Sequence, residues 1–497
     1  MVFAAEFQAP DVPWTDLIPL LTLLGGACLL LLCGSLVRRW TVALSTAVTV
    51  ATGVVAAVAA MFKWADLRTE KPAAIVAEAI VVDRFAVFAT IVICLVLALG
   101  ALLVGSYLSR EGGDGPELHA LLLTATLGGV VMAASNDFIV LFLGLEVLSL
   151  SLYLLAASNR RREQSQEAGL KYFVLGGFSS AFFLYGIALV YGATGTTNIG
   201  RVSTAISSNV MVAGKESLLL VGVGLLVVGL AFKVAAVPFQ VWTPDVYEGS
   251  PSPVTAFMAS AGKIAAFGAM LRVLVTGVES RVDDWRPVIW LLAILTVVVG
   301  STMAIVQTNV KRMLAYSSVA HAGFILVGVE AAAHPGGAGV SSVMTYLAIY
   351  AVLVIGSFAV VMTVAGAGDG STDLSDFRGL ASRRPALALA FSVLLLAQAG
   401  VPLTAGFIAK FGVIKAAVDV RSYAIAIVAM VGAVIGAYVY LRIMISMWLE
   451  DPASEDPLPV QRPVAVVITL CVGFTLVVGI VPSWLLDASR LVALVGG

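Results

Sequence analysis

Five ionisable side chains lie in the middle of long apolar stretches of the sequence. They are Glu146, Lys233, Lys263, His321 and Lys410. A charge near the centre of a lipid bilayer costs about 2.5 to 3.5 kcal/mol on insertion scales, so the glutamate and the lysines together would cost on the order of 10 kcal/mol. Such residues mark proton or ion pathways inside membranes. The chemistry that this set predicts is proton transfer through an apolar interior.

Lysine and histidine suit this chemistry because both can exchange a proton. Desolvation disfavours the charged form of lysine, and a nearby carboxylate favours it. If Glu146 approaches Lys233, the lysine holds its proton, and if the carboxylate withdraws, the lysine releases it. Arginine stays charged in proteins and cannot act in this way. His321 is predicted to relay protons between the two halves of the chain, and the alternative is a neutral histidine bonded to a Ser or Tyr hydroxyl.

The alternative for the whole set is a group of buried ion pairs that hold helices together. One acid, Glu146, cannot neutralise three lysines pairwise, which argues against a purely structural role. Lys171 begins an apolar stretch beside the charged segment RRREQSQE. It either joins the proton path or extends its ammonium group towards water.

The elements that must position these side chains are membrane helices. The chain of 497 residues is 60% hydrophobic and only 12% charged, which excludes an ordinary soluble enzyme. About 20 apolar residues cross a bilayer as a helix, and we count fourteen apolar runs between positions 17 and 483. The runs 217–241 and 385–417 contain Pro238 and Pro402, which lack the N–H that a continuous helix needs. Both runs are predicted to be broken helices, whose freed carbonyls could hold water.

Several other classes of site are not indicated. The 29 Lys and Arg nearly cancel the 30 Asp and Glu, so no basic surplus points to nucleic acid. The four cysteines lie in apolar runs without metal-ligand spacing, and no dinucleotide fingerprint is present. We therefore expect neither a metal nor a cofactor in this chain.

The sequence also contains an internal repeat. AAVPFQ from Ala235 has a counterpart in AGVPLT from Ala399, and SNDFIV from Ser135 has one in TNVKRM from Thr308. Two five-helix units that lie an odd number of spans apart would be inverted in the membrane, a sign of a transport pathway. The predicted segments are an N-terminal three-helix segment, the first repeat, the second inverted repeat and a last span with a short tail, at residues 1–117, 118–275, 288–449 and 450–497.

The orientation follows from clusters of basic residues in the loops. Arg38-Arg39, Arg160-Arg161-Arg162, Lys311-Arg312 and Arg383-Arg384 all fall on one face by the span count. We assign this face to the cytoplasm. Both termini are then expected on the outer, periplasmic side of a bacterial cell membrane.

With these positions established, the sequence resembles the antiporter-like proton-channel subunits of respiratory complex I, the proton-translocating NADH-quinone oxidoreductase. The resemblance covers nearly the whole chain. Its most specific parts are LFLGLEVLSLSLYLL around Glu146, EAGLKYFVLGGFSSA around Lys171, FKVAAVPFQVWTPDVYEGSPSPVTAFMASAGK from Phe232 to Lys263, VKRMLAYSSVAHAGF around His321 and GVPLTAGFIAKF ending just past Lys410.

The resemblance implies fourteen spans, inverted five-helix repeats and a central hydrophilic axis. It implies that Glu146 and Lys233 are a coupling pair, that Lys263 and His321 connect the halves, and that Lys410 is the exit residue. Flavin mononucleotide (FMN), iron–sulfur clusters and quinone are expected in partner subunits. Other membrane subunits are expected on both sides, one of them antiporter-like, with lipid and protons as the remaining partners and no nucleic acid.

Two features distinguish the members of this family from one another, and both can be compared with this sequence. One subunit has glutamate where this chain has Lys410, and another continues into a long lateral helix for which the residues after position 483 leave no room. Three other functions stay open: a subunit of a multisubunit cation/proton antiporter, a transporter of a small solute and a structural membrane scaffold.

Overall fold

The computed structural model describes most of the chain in one helical bundle. The described residues are 12–37, 40–113, 115–208, 216–334, 337–370, 372–452, 458–492 and 494. The predicted basic pair Arg38-Arg39 lies outside them.

The described residues of the N-terminal region form three long helices and a small hairpin. Two strands of three residues pair antiparallel between the second and third helices, with Ala73 opposite Val82. The elements are α1 (Ile18–Leu36), α2 (Val42–Asp66), β1 (Ala73–Ile75), β2 (Ile80–Val82) and α3 (Arg84–Glu111).

In the described part of the first predicted repeat there are eight helices. A 3₁₀ turn at Phe239–Val241 and π-helical segments at Met258–Gly262 and Arg272–Gly277 interrupt or extend them. The helices are α4 (Pro116–Ala134), α5 (Phe138–Ala156), α6 (Glu163–Thr194), α7 (Ile199–Ser207), α8 (Glu216–Val234), α9 (Trp242–Gly249), α10 (Ser252–Phe257) and α11 (Lys263–Leu271).

The region of the second predicted repeat and the C-terminal segment follow. Short 3₁₀ turns lie at Glu279–Arg281, Ala367–Asp369 and Leu374–Phe377. The helices are α12 (Val282–Ile305), α13 (Val310–Ala331), α14 (Gly339–Ala365), α15 (Leu380–Arg383), α16 (Pro385–Ala399), α17 (Ala405–Asp419), α18 (Tyr423–Leu449), α19 (Arg462–Ile480) and α20 (Ser483–Arg490).

The helices confirm an integral membrane fold of about fourteen spans. Among the described residues, thirteen helical segments are long and apolar enough to cross a membrane. The short helices α16 and α17, on either side of a break, supply one more crossing in two pieces. In lipid the backbone must bond internally, which is why an apolar chain of this composition forms helices.

Burial separates a central group of helices from a lipid-facing rim. The segments Ser252–Gly277, Val310–Ala331 and Gly339–Ala365 are each 94% buried over their most apolar stretch, whereas Ile18–Leu36 is only 22% buried there. The central segments carry Lys263 and His321. The exposed apolar residues of α1 face lipid in a bilayer.

Several short elements were not predicted from the sequence, among them a hairpin and two helices. The β1–β2 hairpin turns through Val76, Ala77 and Glu78, all with positive φ, and none of these is a residue that typically signals a turn. Helices α7 and α20 have nine and eight residues, so neither is long enough to span a bilayer. These elements lie at span ends, where apolar run length gives no information.

Matching hydrogen bonds support the internal repeat. Asp137 caps α5 by accepting from the N–H groups two and three residues on, at 2.8 and 3.3 Å. Asn309 caps α13 by accepting from the N–H groups two and three residues on, at 3.0 and 3.3 Å. Asp137 forms an antiparallel bridge with Asn198, and Asn309 forms one with Asp373.

A hydrogen bond from an arginine to a backbone carbonyl also occurs in both repeats at the same spacing. Four residues before each capping residue, a carbonyl accepts from an arginine: Ala133 from Arg272 at 3.0 Å and Ile305 from Arg442 at 2.8 Å. Each arginine follows a leucine, because the sequence contains the pair Leu271-Arg272 and again Leu441-Arg442.

A close approach of two helices recurs as well. A Cβ atom added at Gly128 would lie 2.5 Å from a backbone nitrogen of α5, and one added at Gly300 would lie 2.5 Å from a backbone nitrogen of α13. Both positions lie nine residues before the capping residue. The repeat is therefore present in contacts as well as in sequence, and its inversion in the membrane stays a prediction from the span count.

Candidate functional site

The first broken helix separates α8 from α9 at Pro238. The proline has no N–H, and the chain turns just before it, where Ala235 has a φ of 62°. The Trp242 indole N–H donates to the carbonyl of Phe232 at 3.1 Å, and the Val237 N–H donates to the Thr296 hydroxyl at 2.9 Å. The structure confirms the predicted break and leaves Lys233 in the last turn of α8.

Lys233 is buried against tyrosines. Its ammonium group lies 3.4 Å from the Tyr153 hydroxyl. It also lies 5.3 Å from the ring centre of Tyr153 and 5.5 Å from that of Tyr172, distances at which cations are attracted to aromatic faces. Tyr172 stacks on Trp242 with ring centres 4.5 Å apart, so the break itself supports the lysine site.

Glu146 lies near Lys233 without a direct ion pair. The carboxylate is close enough to act electrostatically on both Lys233 and Tyr153. Its Oε1 atom is buried and has no hydrogen-bond partner among the described residues. A charge that acts on the lysine through space and is not locked to it is what a coupling pair requires.

A small cavity between Lys233 and Lys263 is lined by both side chains. Polar and aromatic groups from α6, α8, α9 and α11 meet in its wall, and its lining consists of Leu148, Leu152, Tyr172, Lys233, Trp242, Tyr247, Met258, Gly262 and Lys263. The two lysines, which the sequence separates by 30 residues, therefore face one space.

Lys263 follows the π-helical segment Met258–Gly262. Its ammonium group donates to the backbone carbonyl of Ser318 and lies 5.4 Å from the ring centre of Tyr350. The Tyr350 hydroxyl donates to the Ser318 hydroxyl at 2.8 Å. π-Helical turns are frequent at functional sites, and this one ends at the lysine that continues the series.

His321 lies between the remaining lysines. Its Nδ1 lies 2.7 Å from the Tyr346 hydroxyl and its Nε2 lies 3.2 Å from the Tyr440 hydroxyl. Both Lys263 and Lys410 are near enough to act electrostatically on the ring. The tyrosines supply the hydroxyl partners of the alternative that the sequence left open, and the position between two lysines is the one that a relay needs.

Lys410 lies beside the second broken helix. Helix α16 ends at Ala399 and is followed by Gly400, with a φ of 91°, and α17 begins after Pro402. The Lys410 ammonium donates to the freed carbonyl of Ala399 at 3.0 Å and lies 4.8 Å from the ring centre of Phe324. The predicted break is confirmed, and the Ala399 carbonyl at the break accepts a hydrogen bond from Lys410.

Lys171 is separate from this buried series. Its side chain is 41% exposed and pairs with Glu167 and Asp245, at 2.7 Å each. Asp245 also pairs with Arg312 at 2.7 Å. Lys171 therefore lies in an ion-pair network at one end of the bundle, and no direct contact joins it to the buried lysines among the described residues.

The hydroxyl groups that line the series of buried lysines and histidine were not predicted from the sequence. They belong to Tyr153, Tyr247, Tyr346, Tyr350, Tyr440 and Ser318. A tyrosine in an apolar run has the spacing of an ordinary core residue, so no local signal distinguishes it. Its proximity to a lysine on another helix is visible only in three dimensions.

Metal ligation has no support in the part of the chain that the structure describes. There, no three His, Cys, Asp or Glu side chains come together as a ligand group. The chemistry open to the series is proton exchange among amines, an imidazole, a carboxylate and hydroxyls.

The fold and the buried series define an antiporter-like, multi-pass membrane protein. The family described as "NADH:quinone oxidoreductase/Mrp antiporter, TM" matches residues 135–436. NADH-quinone oxidoreductase subunit N of Trichlorobacter lovleyi is 41% identical over 414 residues, which cover 83% of this chain and 84% of that protein. The chain therefore belongs to this family, and it is similar to the subunit N proteins within it.

Two solved structures share the fold. A chain of respiratory complex I from Thermus thermophilus, with bound aureothin, has a TM-score of 0.80 and 32% identity and covers 96% of this chain and all of that one. A chain of the Mrp complex from Dietzia has a TM-score of 0.83 at 22% identity and covers 97% of each chain. The second likeness concerns the fold alone.

Proposed function

We propose that this chain carries protons across a bacterial cell membrane as subunit N of a proton-translocating NADH-quinone oxidoreductase. Protons move along Glu146, Lys233, Lys263, His321 and Lys410, and Lys171 serves the end of the path at which its ion pairs lie. Quinone reduction in partner subunits drives the movement. FMN, iron–sulfur clusters and quinone belong to those partners.

One observation carries the proposal above the others. Residues from separate helices form a connected buried series: Lys233 and Lys263 line one cavity, and His321 lies within electrostatic reach of both Lys263 and Lys410. A structural scaffold would pair its charges, but in this series no carboxylate forms an ion pair with Lys263 or Lys410 among the described residues.

The ends of the bundle support the proposed orientation. Arg162 lies within electrostatic reach of Lys311, so two of the basic clusters share one end. We place this end on the cytoplasmic side and both termini on the periplasmic side. Lys410 then releases protons towards the outside. Membrane subunits bind on both sides of this chain, and lipid covers the rest of its exposed apolar surface.

The test is Lys233→Arg in the whole complex, reconstituted in liposomes. Arginine keeps the positive charge but does not give up its proton. We expect assembly to persist and NADH-driven proton pumping to fall by about 100-fold or more, since a positioned proton-transfer group contributes about 10²- to 10⁴-fold. Dye quenching measures pumping.

The matched control is Lys415→Arg, because Lys415 is exposed and pairs with Asp419 on α17. It should pump like the parent. Undiminished pumping by the Lys233→Arg complex would overturn the proposal.

A cation/proton antiporter subunit is the second candidate, favoured by the shared family and by the Mrp fold. Purification in mild detergent separates the two. A subunit of NADH-quinone oxidoreductase copurifies with a large assembly that oxidises NADH, whereas an antiporter subunit copurifies with an assembly that exchanges cations for protons and oxidises no NADH.

A further inference from the structure

A second buried charged site lies at the end of the bundle that carries the basic clusters. We call it the Lys311–Asp369 cluster, and it consists of Tyr107, Ser250, Ser252, Lys311 and Asp369. Lys311 and Asp369 are both wholly buried and lie 3.4 Å apart. The Lys311 ammonium also donates to the Ser250 carbonyl at 2.6 Å, and the Ser252 N–H donates to Asp369 Oδ2 at 2.6 Å.

The cluster joins parts of the chain that the sequence keeps far apart. Lys311 begins α13, Asp369 follows α14, and the two serines lie at the junction of α9 and α10. Tyr107, near the end of α3, lies within electrostatic reach of Asp369. The N-terminal helices and both repeats therefore meet at this one polar point.

The cluster holds more polar atoms than its own partners satisfy. Asp369 Oδ1 and the hydroxyls of Ser250 and Ser252 are buried without a hydrogen-bond partner among the described residues. Buried polar atoms rarely stay unpaired, and water is the usual partner when protein donors and acceptors do not reach them. A cluster of three such atoms around a buried ion pair is therefore a site for water.

The cluster lies one residue from the surface. Arg312, next to Lys311, is 29% exposed and pairs with Asp245 and Glu248 at 2.7 Å each. Both Glu248 and Arg162 lie within electrostatic reach of Lys311. Protons from the adjoining aqueous side need to pass only this charged rim to reach the cluster.

Helix α13 connects the cluster to the surroundings of Lys263. Lys311 and Ser318 lie seven residues apart on α13, which places them on the same face about 10 Å apart. The Ser318 carbonyl accepts from Lys263, and the Ser318 hydroxyl lies 3.5 Å from the Tyr247 hydroxyl. Tyr247 is three residues from Ser250, so α9 runs beside the same interval.

We propose that the Lys311–Asp369 cluster is a proton-uptake site that supplies Lys263 from the cytoplasmic side, an inference that rests on the proposed function. Protonated Lys311 gives its proton to water in the cluster, and the proton passes over the hydroxyls at Ser318 to the neutral amine of Lys263. The neutral Lys311 then takes a proton from water at the surface. Asp369 lies beside Lys311 and stabilises the charge that returns to it.

Two variants separate this role from a structural one. Lys311→Met combined with Asp369→Leu removes both partners of the pair, a change that buried ion pairs often tolerate without loss of folding. Lys311→Arg keeps the ion pair but cannot release a proton. In the reconstituted complex we expect both to assemble and both to lower NADH-driven proton pumping by about 100-fold or more.

The matched control is another buried ion pair between helices, Arg272 with Asp83, which are 1% and 0% exposed. Arg272→Met combined with Asp83→Asn should pump like the parent. Parental pumping by a fully assembled Lys311→Met/Asp369→Leu complex would overturn the uptake site. If Lys233→Arg stops pumping and this pair does not, only the uptake site is wrong, and if neither does, the proposed function is wrong as well.

A second measurement decides the matter if the double variant fails to assemble. A high-resolution cryo-EM map of the unmodified complex should show ordered water at Asp369 Oδ1 and at the two serine hydroxyls, continuing towards Ser318. A dry cluster sealed from Ser318 would overturn the proposal.

Discussion

The two repeats share their capping bonds but differ nine residues further along. Nine residues after Asp137 stands Glu146, and nine residues after Asn309 stands Ser318. Glu146 acts on Lys233 through its charge, whereas Ser318 offers Lys263 a backbone carbonyl and a hydroxyl network. The same scaffold therefore presents a carboxylate to one lysine and neutral dipoles to another.

This difference assigns the repeats different tasks. A carboxylate can favour or release the charged form of a lysine as its distance changes, so the first repeat is suited to respond to events in partner subunits. Carbonyls and tyrosine hydroxyls carry no net charge, so the second repeat is suited to pass protons on. We infer that coupling lies in the first repeat and conduction in the second.

Among the changes that compare the two repeats, the largest effect should follow from removing the carboxylate of the first repeat. Glu146→Gln leaves Lys233 without its nearby charge, and we expect pumping to fall by about 5- to 150-fold, the range of coupling energies between sites. NADH-driven dye quenching in proteoliposomes measures it. Glu146→Asp should retain much of the activity, and Glu216→Gln, at an exposed acid of α8, should retain all of it. Equal losses in all three variants would contradict a coupling role.

Much of this arrangement could be predicted from local sequence. The spans follow from apolar length, and the breaks follow from Pro238 and Pro402, because the missing N–H acts at its own position. The five ionisable residues inside the spans were visible because charge is rare in apolar runs. None of these inferences needs knowledge of which helices touch.

What depends on contacts between distant segments could not be predicted. Lys311 and Arg312 look alike in sequence, as a basic pair at the start of a span. The structure buries Lys311 completely and leaves Arg312 partly exposed, because Asp369 reaches Lys311 from the end of another helix. Similarly, Lys171 is not drawn into the buried series, because Asp245 and Glu167 hold it at the rim.

A moderate effect should follow from weakening the relay of the second repeat. Tyr440→Phe removes the hydroxyl 3.2 Å from His321 Nε2. One hydrogen bond is worth about 1 kcal/mol, so we expect about fivefold slower pumping. Tyr423→Phe, at an exposed tyrosine of the same helix, is the control. A loss larger than that of Glu146→Gln would place coupling in the second repeat and contradict the division of tasks.

The smallest effect should appear at the capping residues, where the repeats look most alike. Asp137→Ala and Asn309→Ala each remove a side-chain acceptor from two N–H groups, and each should cost about 0.5 to 2 kcal/mol of stability. Thermal inactivation of the purified complex measures both. Similar losses are expected because the two caps have nearly the same distances.

The conservative exchanges at the same two positions should separate the repeats. Asp137 caps α5 with Oδ1 and accepts from the Thr197 hydroxyl with Oδ2 at 2.6 Å. In Asp137→Asn the remaining oxygen can keep the cap while the new amide donates to the Thr197 hydroxyl, so this exchange should cost little. Asn309 donates its amide to Asp373 at 3.2 Å. Asn309→Asp removes this donor and sets two carboxylates against each other, so it should lower the inactivation temperature more than Asp137→Asn does. If the two exchanges had the same effect, the caps would be interchangeable, and the asymmetry of the repeats would be confined to the buried positions around Glu146 and Ser318.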